Sequence, residues 1–302
     1  MSYRFRRRER LGTGLRRALR EQIDRATRSI EDAAQDPGAT VHEVRKAVKR
    51  IRAGLRLARS CLGEPCFEEE NRLYRDADHL LGGAREADVA LETLEVVVSR
   101  LDGGVDPEVL EQARGRLRER GRGSIQAIVA SDGPLAQAGA RLREGRQRIS
   151  HLPTSHLEPR DLAQGLGWSF QRGRQHRDEA YRTGQAADFH AWRRRTKDLW
   201  HQLELIRPAW PPVLQARAAE HHRLADLLGL ANDAVDLDVR LDRDPELVRD
   251  AGTRDALRAE CRALRDETWS VARPLGLRLY AESPRTFERL MRVYLEDTFP
   301  SA

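Results

Sequence analysis

The chain has 302 residues, of which 39% are hydrophobic and 34% charged, and its net charge is +6. Its apolar runs are far shorter than the roughly 20 residues of a transmembrane helix, which argues against a membrane protein. The N-terminal sequence has no apolar core of a secretory signal, and the three cysteines include no CxxC pair. We therefore expect a cytoplasmic protein without a disulfide framework or a cysteine zinc site.

Helical periodicity runs along the whole chain and strand-like alternation is nearly absent, so the sequence predicts an all-α fold. Segments rich in glycine and proline divide it into about ten helices, for two of which Thr40 and Asp188 are candidate N-caps. These segments are 35–40, 63–65, 81–83, 102–107, 131–134, 151–159, 182–184, 207–212 and 243–246. Segment 151–159 has two prolines and no periodicity, and it is the predicted junction between halves 1–150 and 155–302.

The first strongly basic helix is predicted over residues 41–59, VHEVRKAVKRIRAGLRLAR, which contain seven cations and one acid. Spacings of three and four residues separate a polar row from an apolar row on this helix. The polar row is His42, Arg45, Lys49, Arg52, Arg56 and Arg59. The apolar row, which we expect to pack into the core, is Val44, Val48, Ile51, Leu55, Ala58 and Leu62. Because like charges at these spacings repel one another, the polar row favours an anionic ligand.

A second copy of this pattern occurs in residues 189–205, FHAWRRRTKDLWHQLEL. Five of the 17 aligned positions are identical, including a histidine, an arginine and a lysine in the same order. Here the polar row is His190, Arg193, Lys197 and His201, and the apolar row is Trp192, Leu199, Leu203 and Ile206. A second block, 80–94, aligns with 227–241 and shares Leu-Leu-Gly. The chain is therefore predicted to contain two homologous helical halves of about 150 residues.

Lysine is rare in this chain. Of 54 basic residues only Lys46, Lys49 and Lys197 are lysines, and all three lie in the two aligned helices. The lysine ammonium is a compact point charge that suits phosphate, whereas the arginine guanidinium is a planar fork. This distribution favours phosphate binding by the two helices over a merely solvated charged face.

The two basic helices, each followed by a Leu-Leu-Gly segment, resemble the signature helices of the CHAD family, the conserved histidine α-helical domain. The segments YRFRRRERLGTGLRRALREQIDRA (3–26) and WSFQRGRQHRDEAY (168–181) resemble the helices that open its two halves, so the likeness extends over 1–302 as one domain. The resemblance implies two pseudo-symmetric helical-bundle halves, about four or more helices each, around a central basic cleft. It also implies binding of inorganic polyphosphate, often at polyphosphate granules.

Carried over residue by residue, the resemblance places polyphosphate-binding residues on two walls. One wall is His42, Arg45, Lys46, Lys49, Arg52 and Arg56, and the other is His190, Arg193, Arg194 and Lys197. Arg172 and Arg174 match the RxR of the family's second opening helix and are further candidates. Asp198, Trp200 and Glu204 stand where the first copy has Arg50, Arg52 and Arg56. The second wall is therefore expected to be less cationic, and binding to be asymmetric.

Other functions remain open at this point. Catalysis is not expected, because GxxxxGK[ST], HExxH, GxSxG and ExExK are absent, and neither a cofactor nor a metal site among the cations is expected. Binding of a nucleic-acid backbone is an alternative, since phosphate contacts look alike, although the chain has few aromatic residues to stack bases. An accessory role beside phosphate-metabolising enzymes and contact with granule proteins are also open.

A polyanion would stabilise the imidazolium forms of His42 and His190. We therefore predict that polyphosphate affinity increases as the pH falls from about 8 to 6. A binding titration at both pH values tests this, and equal affinities would remove both histidines from the ligand set.

Overall fold

The computed structural model describes residues 3–299, except residues 102 and 104. Of residues 84 and 85 it describes only the backbone. Over this part of the chain there are twelve α-helices and no β-strand, which confirms the predicted all-α fold. The helices are α1 Leu11–Glu31, α2 Pro37–Leu57, α3 Arg59–Leu62, α4 Glu64–Leu80, α5 Glu86–Val98, α6 Pro107–Val129, α7 Pro134–Ile149, α8 Pro159–Thr183, α9 Ala186–Ile206, α10 Pro211–Arg243, α11 Ala251–Leu279 and α12 Pro284–Thr298. Two 3₁₀ turns span Gly82–Arg85 and Arg207–Ala209. The turn predicted at 102–107 lies partly outside the described residues.

The predicted caps of two helices are wrong. Helix α2 begins at Pro37, and the Asp36 side chain caps it by accepting a hydrogen bond from the backbone N–H of Ala39 at 2.9 Å. Proline suits the first helical position because its missing N–H would have no helical partner there. Thr40 therefore lies inside α2, and Asp188 lies in the first turn of α9.

The helices form two packed groups that share one hydrophobic core. In the first group α1 packs on α2, α2 on α4, α4 on α7, and α7 on α1. In the second group α9 packs on α8 and α10, and α8 packs on α12, while α2 also packs on α8 and α9. The shared core includes the predicted apolar rows of both basic helices, which are buried as expected. Since this core runs from Tyr3 to Phe299, the turn at 151–159 does not separate two independent cores.

A second, smaller core lies where α5 and α6 meet the end of α10 and the start of α11. The aligned blocks differ here: 227–241 lies within the unbroken α10, whereas 80–94 is interrupted by the 3₁₀ turn Gly82–Arg85. The first block has two consecutive glycines, and the second has Gly229 followed by Leu230. Because each glycine disfavours a helix by about 1 kcal/mol relative to alanine, the pair explains why only the first copy breaks.

Helix α8 approaches α2 closely at Gly165. A Cβ atom at this position would lie 2.1 Å from the carbonyl oxygen of Leu57. That oxygen belongs to the last turn of α2, so it cannot move away without shifting the helix.

We predict that Gly165→Ala lowers the free energy of unfolding by about 1–3 kcal/mol, because the added methyl group forces α8 away from α2. Gly115→Ala is the matched control, since an added Cβ meets nothing within 4 Å on the exposed side of α6. The control should raise stability by about 0.5–1 kcal/mol through helix propensity. Chemical denaturation measures both, and a Gly165→Ala protein as stable as the control would contradict the close approach.

Candidate anion-binding site

The packing of α2 on α9 brings cations from both predicted rows together. The Gln202 side chain on α9 donates a hydrogen bond to the Ala53 carbonyl oxygen on α2 at 3.2 Å. One to two turns nearer the N-terminus of each helix, Arg45 and Lys49 of α2 lie close enough to Lys197 for their charges to act on it, as does Arg193 of α9. We call these four residues the cation cluster: Arg45, Lys49, Arg193 and Lys197.

Lys197 is the least compensated member of the cation cluster. Its side chain is half-buried, and within the described residues no carboxylate lies at ion-pair distance from its ammonium. Burial and the charges of Arg193 and Lys49 lower its pKa from 10.5 to about 8. These effects outweigh the charge of Asp226, which alone would raise the pKa. The fold thus holds a cation that an added anion would stabilise.

The two arginines of the cation cluster are held in place by carbonyl oxygens and one carboxylate. Arg45 Nε lies 3.2 Å from Asp78 Oδ1, and its Nη1 donates to the carbonyl oxygens of Leu81 and Gly82 at 3.4 Å. Arg193 Nε donates to the carbonyl oxygen of Ala225 at 3.3 Å. A guanidinium has five N–H donors, so both arginines keep donors for a ligand.

The two arginines also lie against the two aligned Leu-Leu-Gly segments. Arg45 reaches the first segment at Leu81 and Gly82. A Cβ atom at Gly229, in the second segment, would lie 2.7 Å from Nη2 of Arg193. Gly229 therefore leaves the space that the guanidinium of Arg193 occupies, whereas a Cβ atom at Gly82 would meet nothing within 4 Å.

Three predicted residues of the first wall already have partners for their charges or N–H groups. Lys46 Nζ lies 3.3 Å from Glu43 Oε1, and Arg52 Nε donates to Asn71 Oδ1 at 3.0 Å. Desolvation, and the charge of Arg56, lower the pKa of Arg52 to about 10. The third residue is Arg56. Like Arg45 of the cation cluster, these side chains are already held by groups within the fold.

Arg56 is buried and pairs across the two helices with Asp198, Nη1 to Oδ1 at 3.0 Å. Asp198 also lies 3.1 Å from Nη1 of Arg195. Burial lowers the pKa of Arg56 although Asp198 opposes the shift. Asp198, which replaces an arginine in the second copy, thus compensates the charge of Arg56 in the first copy, 142 residues away.

The predicted histidines differ in their surroundings. His42 and His190 are both exposed, and the Asn232 amide nitrogen lies 3.1 Å from Nδ1 of His190. Desolvation of the His190 ring and the charges of Arg194 and Arg193 lower its pKa below 6.5. His201, placed in the polar row by spacing, is instead buried, and its ring stacks on Trp200 at 4.3 Å.

The remaining candidates lie on α8 and α9. Arg172 is exposed, with its guanidinium 5.9 Å from the Trp168 ring centre, and Arg174 donates to the Glu282 carbonyl oxygen at 3.1 Å. Arg194 is exposed and acts on His176, a residue that the sequence pattern did not single out. Burial and the charges of Arg172, Arg195 and Arg194 lower the pKa of His176. The spacing of four residues between Arg172 and His176 places them on the same face of α8, and this spacing is the sequence feature that points to His176.

Acidic groups border the cation cluster on α10 and α5. Burial raises the pKa of Asp233 against the attraction of Arg193, and the charges of Asp236 and Glu92 add to this rise. Lys197 also acts on Asp233. The positive surface therefore ends on this side. Among the described residues, no group of three or more His, Cys, Asp and Glu side chains could hold a metal ion.

Comparison with known proteins agrees with this arrangement of helices. The family model of the CHAD domain matches residues 17–242 of the sequence. The chain belongs to the CHAD domain family. It is also similar to the crystal structure of the CHAD domain from the plant Ricinus communis, with 19% sequence identity, a TM-score of 0.52, and 98% of this chain and 95% of that chain covered. Curated protein sequences give no match. The structural likeness supports the CHAD fold over nearly the whole chain.

No helix in the described part of this CHAD domain is long and apolar enough to cross a membrane.

We predict that Lys197→Met raises the free energy of unfolding by about 1 kcal/mol at pH 7, because it removes a half-buried cation from other cations. The folded-state pKa of about 8 lies below the ordinary 10.5. The cost of holding the charge is therefore full below pH 8, and it declines as the pH rises from about 8 to 10.5. Denaturation at pH 7 and pH 10 should show a gain that shrinks with pH.

Lys46→Met is the matched control, since Lys46 is paired with Glu43. It should change stability by less than about 0.5 kcal/mol. A loss of stability in Lys197→Met at pH 7, or a gain independent of pH, would contradict the conclusion that the charge of Lys197 destabilises the fold.

Proposed function

We propose that this CHAD domain is a non-catalytic binding module for inorganic polyphosphate. The observation that carries the proposal is the cation cluster, in which one helix from each half of the sequence contributes cations to one place. Lys197 in it has no carboxylate at ion-pair distance among the described side chains. Membership of the CHAD family and the restriction of all lysines to α2 and α9 support the same ligand.

The chemistry of the cation cluster fits a chain of phosphates. Ammonium and guanidinium groups form short, charge-assisted hydrogen bonds to phosphoryl oxygens. Arg45 and Arg193 present several N–H donors, while Lys49 and Lys197 act as point charges near them. Each cation that neutralises a phosphate also releases condensed counterions, so affinity should fall steeply with salt.

The surroundings of the cation cluster give the ligand a direction. On the α10 side, Asp233 and Asp236 would repel a polyanion, whereas Arg194 and Arg172 extend the positive surface over α9 and α8. We propose that the polyphosphate chain leaves the cation cluster toward α8. We further propose that the protein works in the cytoplasm, at polyphosphate granules, and contacts granule proteins there.

We predict that Lys49→Glu combined with Lys197→Glu lowers polyphosphate affinity at least about tenfold at 0.15 M salt, because two charge-assisted contacts become repulsive. The slope of log affinity against log salt should become shallower by about 0.7 for each phosphate that the variant no longer neutralises. Isothermal titration with long-chain polyphosphate measures both. Lys49→Gln with Lys197→Met repeats the test without placing an acid in a half-buried position.

The matched control is Arg285→Glu with Arg289→Glu, which changes the net charge equally at exposed positions of α12, a helix that packs on α8. The control should keep its affinity within about twofold, since it changes only the screened long-range field. Equal reductions in both double variants would show that net charge, and not the cation cluster, binds the polyanion.

A competition experiment with single- and double-stranded nucleic acid at matched charge tests the identity of the ligand. Tighter binding of nucleic acid than of polyphosphate would favour a protein that binds nucleic-acid backbones.

A further inference from the structure

Lys197 combines three properties of a reactive amine. Its side chain is half-buried, no described carboxylate holds its ammonium at ion-pair distance, and cations act on it from two helices. Near pH 7.5, a group with a pKa of about 8 has on the order of a quarter of its molecules in the neutral, nucleophilic form, against about one in a thousand for an ordinary lysine.

The same neighbours can hold a phosphate group beside this amine. Arg193 uses only Nε on the Ala225 carbonyl oxygen among its described hydrogen bonds, so its terminal nitrogens keep their donors. Lys49 and Arg45 add positive charge from α2. Arg193 precedes Lys197 by one turn of α9, so the two side chains lie on the same helix face. A small reagent that joins a phosphate to an electrophilic carbon would therefore place that carbon near Nζ when its phosphate binds Arg193.

We propose that Lys197 is a site of covalent acylation by acyl phosphates. The proposal uses the cation cluster of the proposed function, but it concerns a bond-forming reaction that polyphosphate binding does not require. It follows from the position of one uncompensated amine among groups that bind phosphate.

The reaction balances without an oxidant or a reductant. The neutral Nζ of Lys197 attacks the carbonyl carbon of the acyl phosphate and forms an N–C bond. The C–O bond to phosphate breaks, and its electron pair leaves with the phosphate. The proton lost from nitrogen passes to the leaving phosphate or to water, so the products are an amide and inorganic phosphate. Arg193 and Lys49 would stabilise the negative charge of the departing phosphate.

The amide would change the binding site itself. Acylation removes the positive charge of Lys197 and fills the space beside Lys49 and Arg193, so it should lower polyphosphate affinity. A bound polyphosphate chain would in turn cover the amine and draw it into the charged form, which is not nucleophilic. Acylation and polyphosphate binding should therefore exclude each other.

The pH dependence follows from the charged groups around Lys197. Those that act on it are Arg193, Lys49, Arg45 and Asp226, and it acts in turn on His201 and Asp233. As the pH rises through about 8 the amine becomes fully neutral, so the acylation rate at Lys197 should level off above that pH. An ordinary lysine continues to gain reactivity up to about pH 10.

The test is to incubate the full chain with acetyl phosphate at pH 7.5 and to follow modification of each lysine by mass spectrometry. The chain has three lysines, so Lys46 and Lys49 serve as references within the same molecule. Lys197 should react at least about tenfold faster than Lys46, whose ammonium is paired with Glu43. Equal or slower reaction at Lys197 would overturn the proposal.

A neutral acetyl ester, used in parallel, separates amine reactivity from phosphate binding. Arg193→Gln should slow acetylation by acetyl phosphate more than acetylation by the ester, because only the first reagent needs the guanidinium. Equal slowing with both reagents would overturn the assigned role of the phosphate-binding groups.

Added polyphosphate distinguishes this proposal from the proposed function. Protection of Lys197 by polyphosphate supports both. Fast acetylation that polyphosphate does not slow supports the acylation site and contradicts polyphosphate binding at the cation cluster. Tight polyphosphate binding in a protein whose Lys197 reacts no faster than Lys46 overturns the acylation site alone.

Discussion

The contact between the apolar faces of α2 and α9 is the interaction on which the cation cluster depends. Val44 and Ile51 on α2, and Leu199 and Leu203 on α9, are all fully buried. Burying one such side chain is worth about 1.5–3 kcal/mol, whereas two like charges 4 Å apart repel by about 1 kcal/mol in water and by about 4 kcal/mol near a protein surface. Several buried side chains on each helix outweigh this repulsion. The fold can therefore keep cations such as Lys197 close to other cations, and the remaining repulsion is the free energy that an anionic ligand can relieve.

The position of Asp198 makes the charges of the two aligned helices unequal. The first copy has Arg50 at the aligned position, and its Nη1 donates to Gln22 Oε1 at 3.1 Å. In the second copy Asp198 binds Arg56 from the opposite helix and faces Arg195. The charge of Arg56 is thus compensated within the fold, whereas Lys197 has no described carboxylate at ion-pair distance. The two aligned helices are alike in sequence pattern, yet their contribution to a ligand is unequal.

Several features of the fold could be predicted from sequence because they depend on local patterns. Spacing of apolar residues identified the buried faces, for example Val48 on α2 and Trp192 on α9. Helix boundaries were predicted less well, since Asp36 and Pro37 start α2 earlier than Thr40 would. Spacing also failed for His201, because a residue on the edge of a polar row is covered when a neighbouring helix packs over it.

The sequence by itself determined the helical class, the apolar and basic faces of the two aligned helices, and the restriction of lysine to those helices. These properties are periodic along the chain, and a helix turns them into surfaces through its 3.6-residue repeat. Only the tertiary structure decided which cations are left for a ligand. Arg56 and Lys197 are both members of the predicted polar rows, but one meets Asp198 and the other meets Arg193 and Lys49. Charge pairing depends on distances between helices that are far apart in the chain, and no local pattern contains those distances.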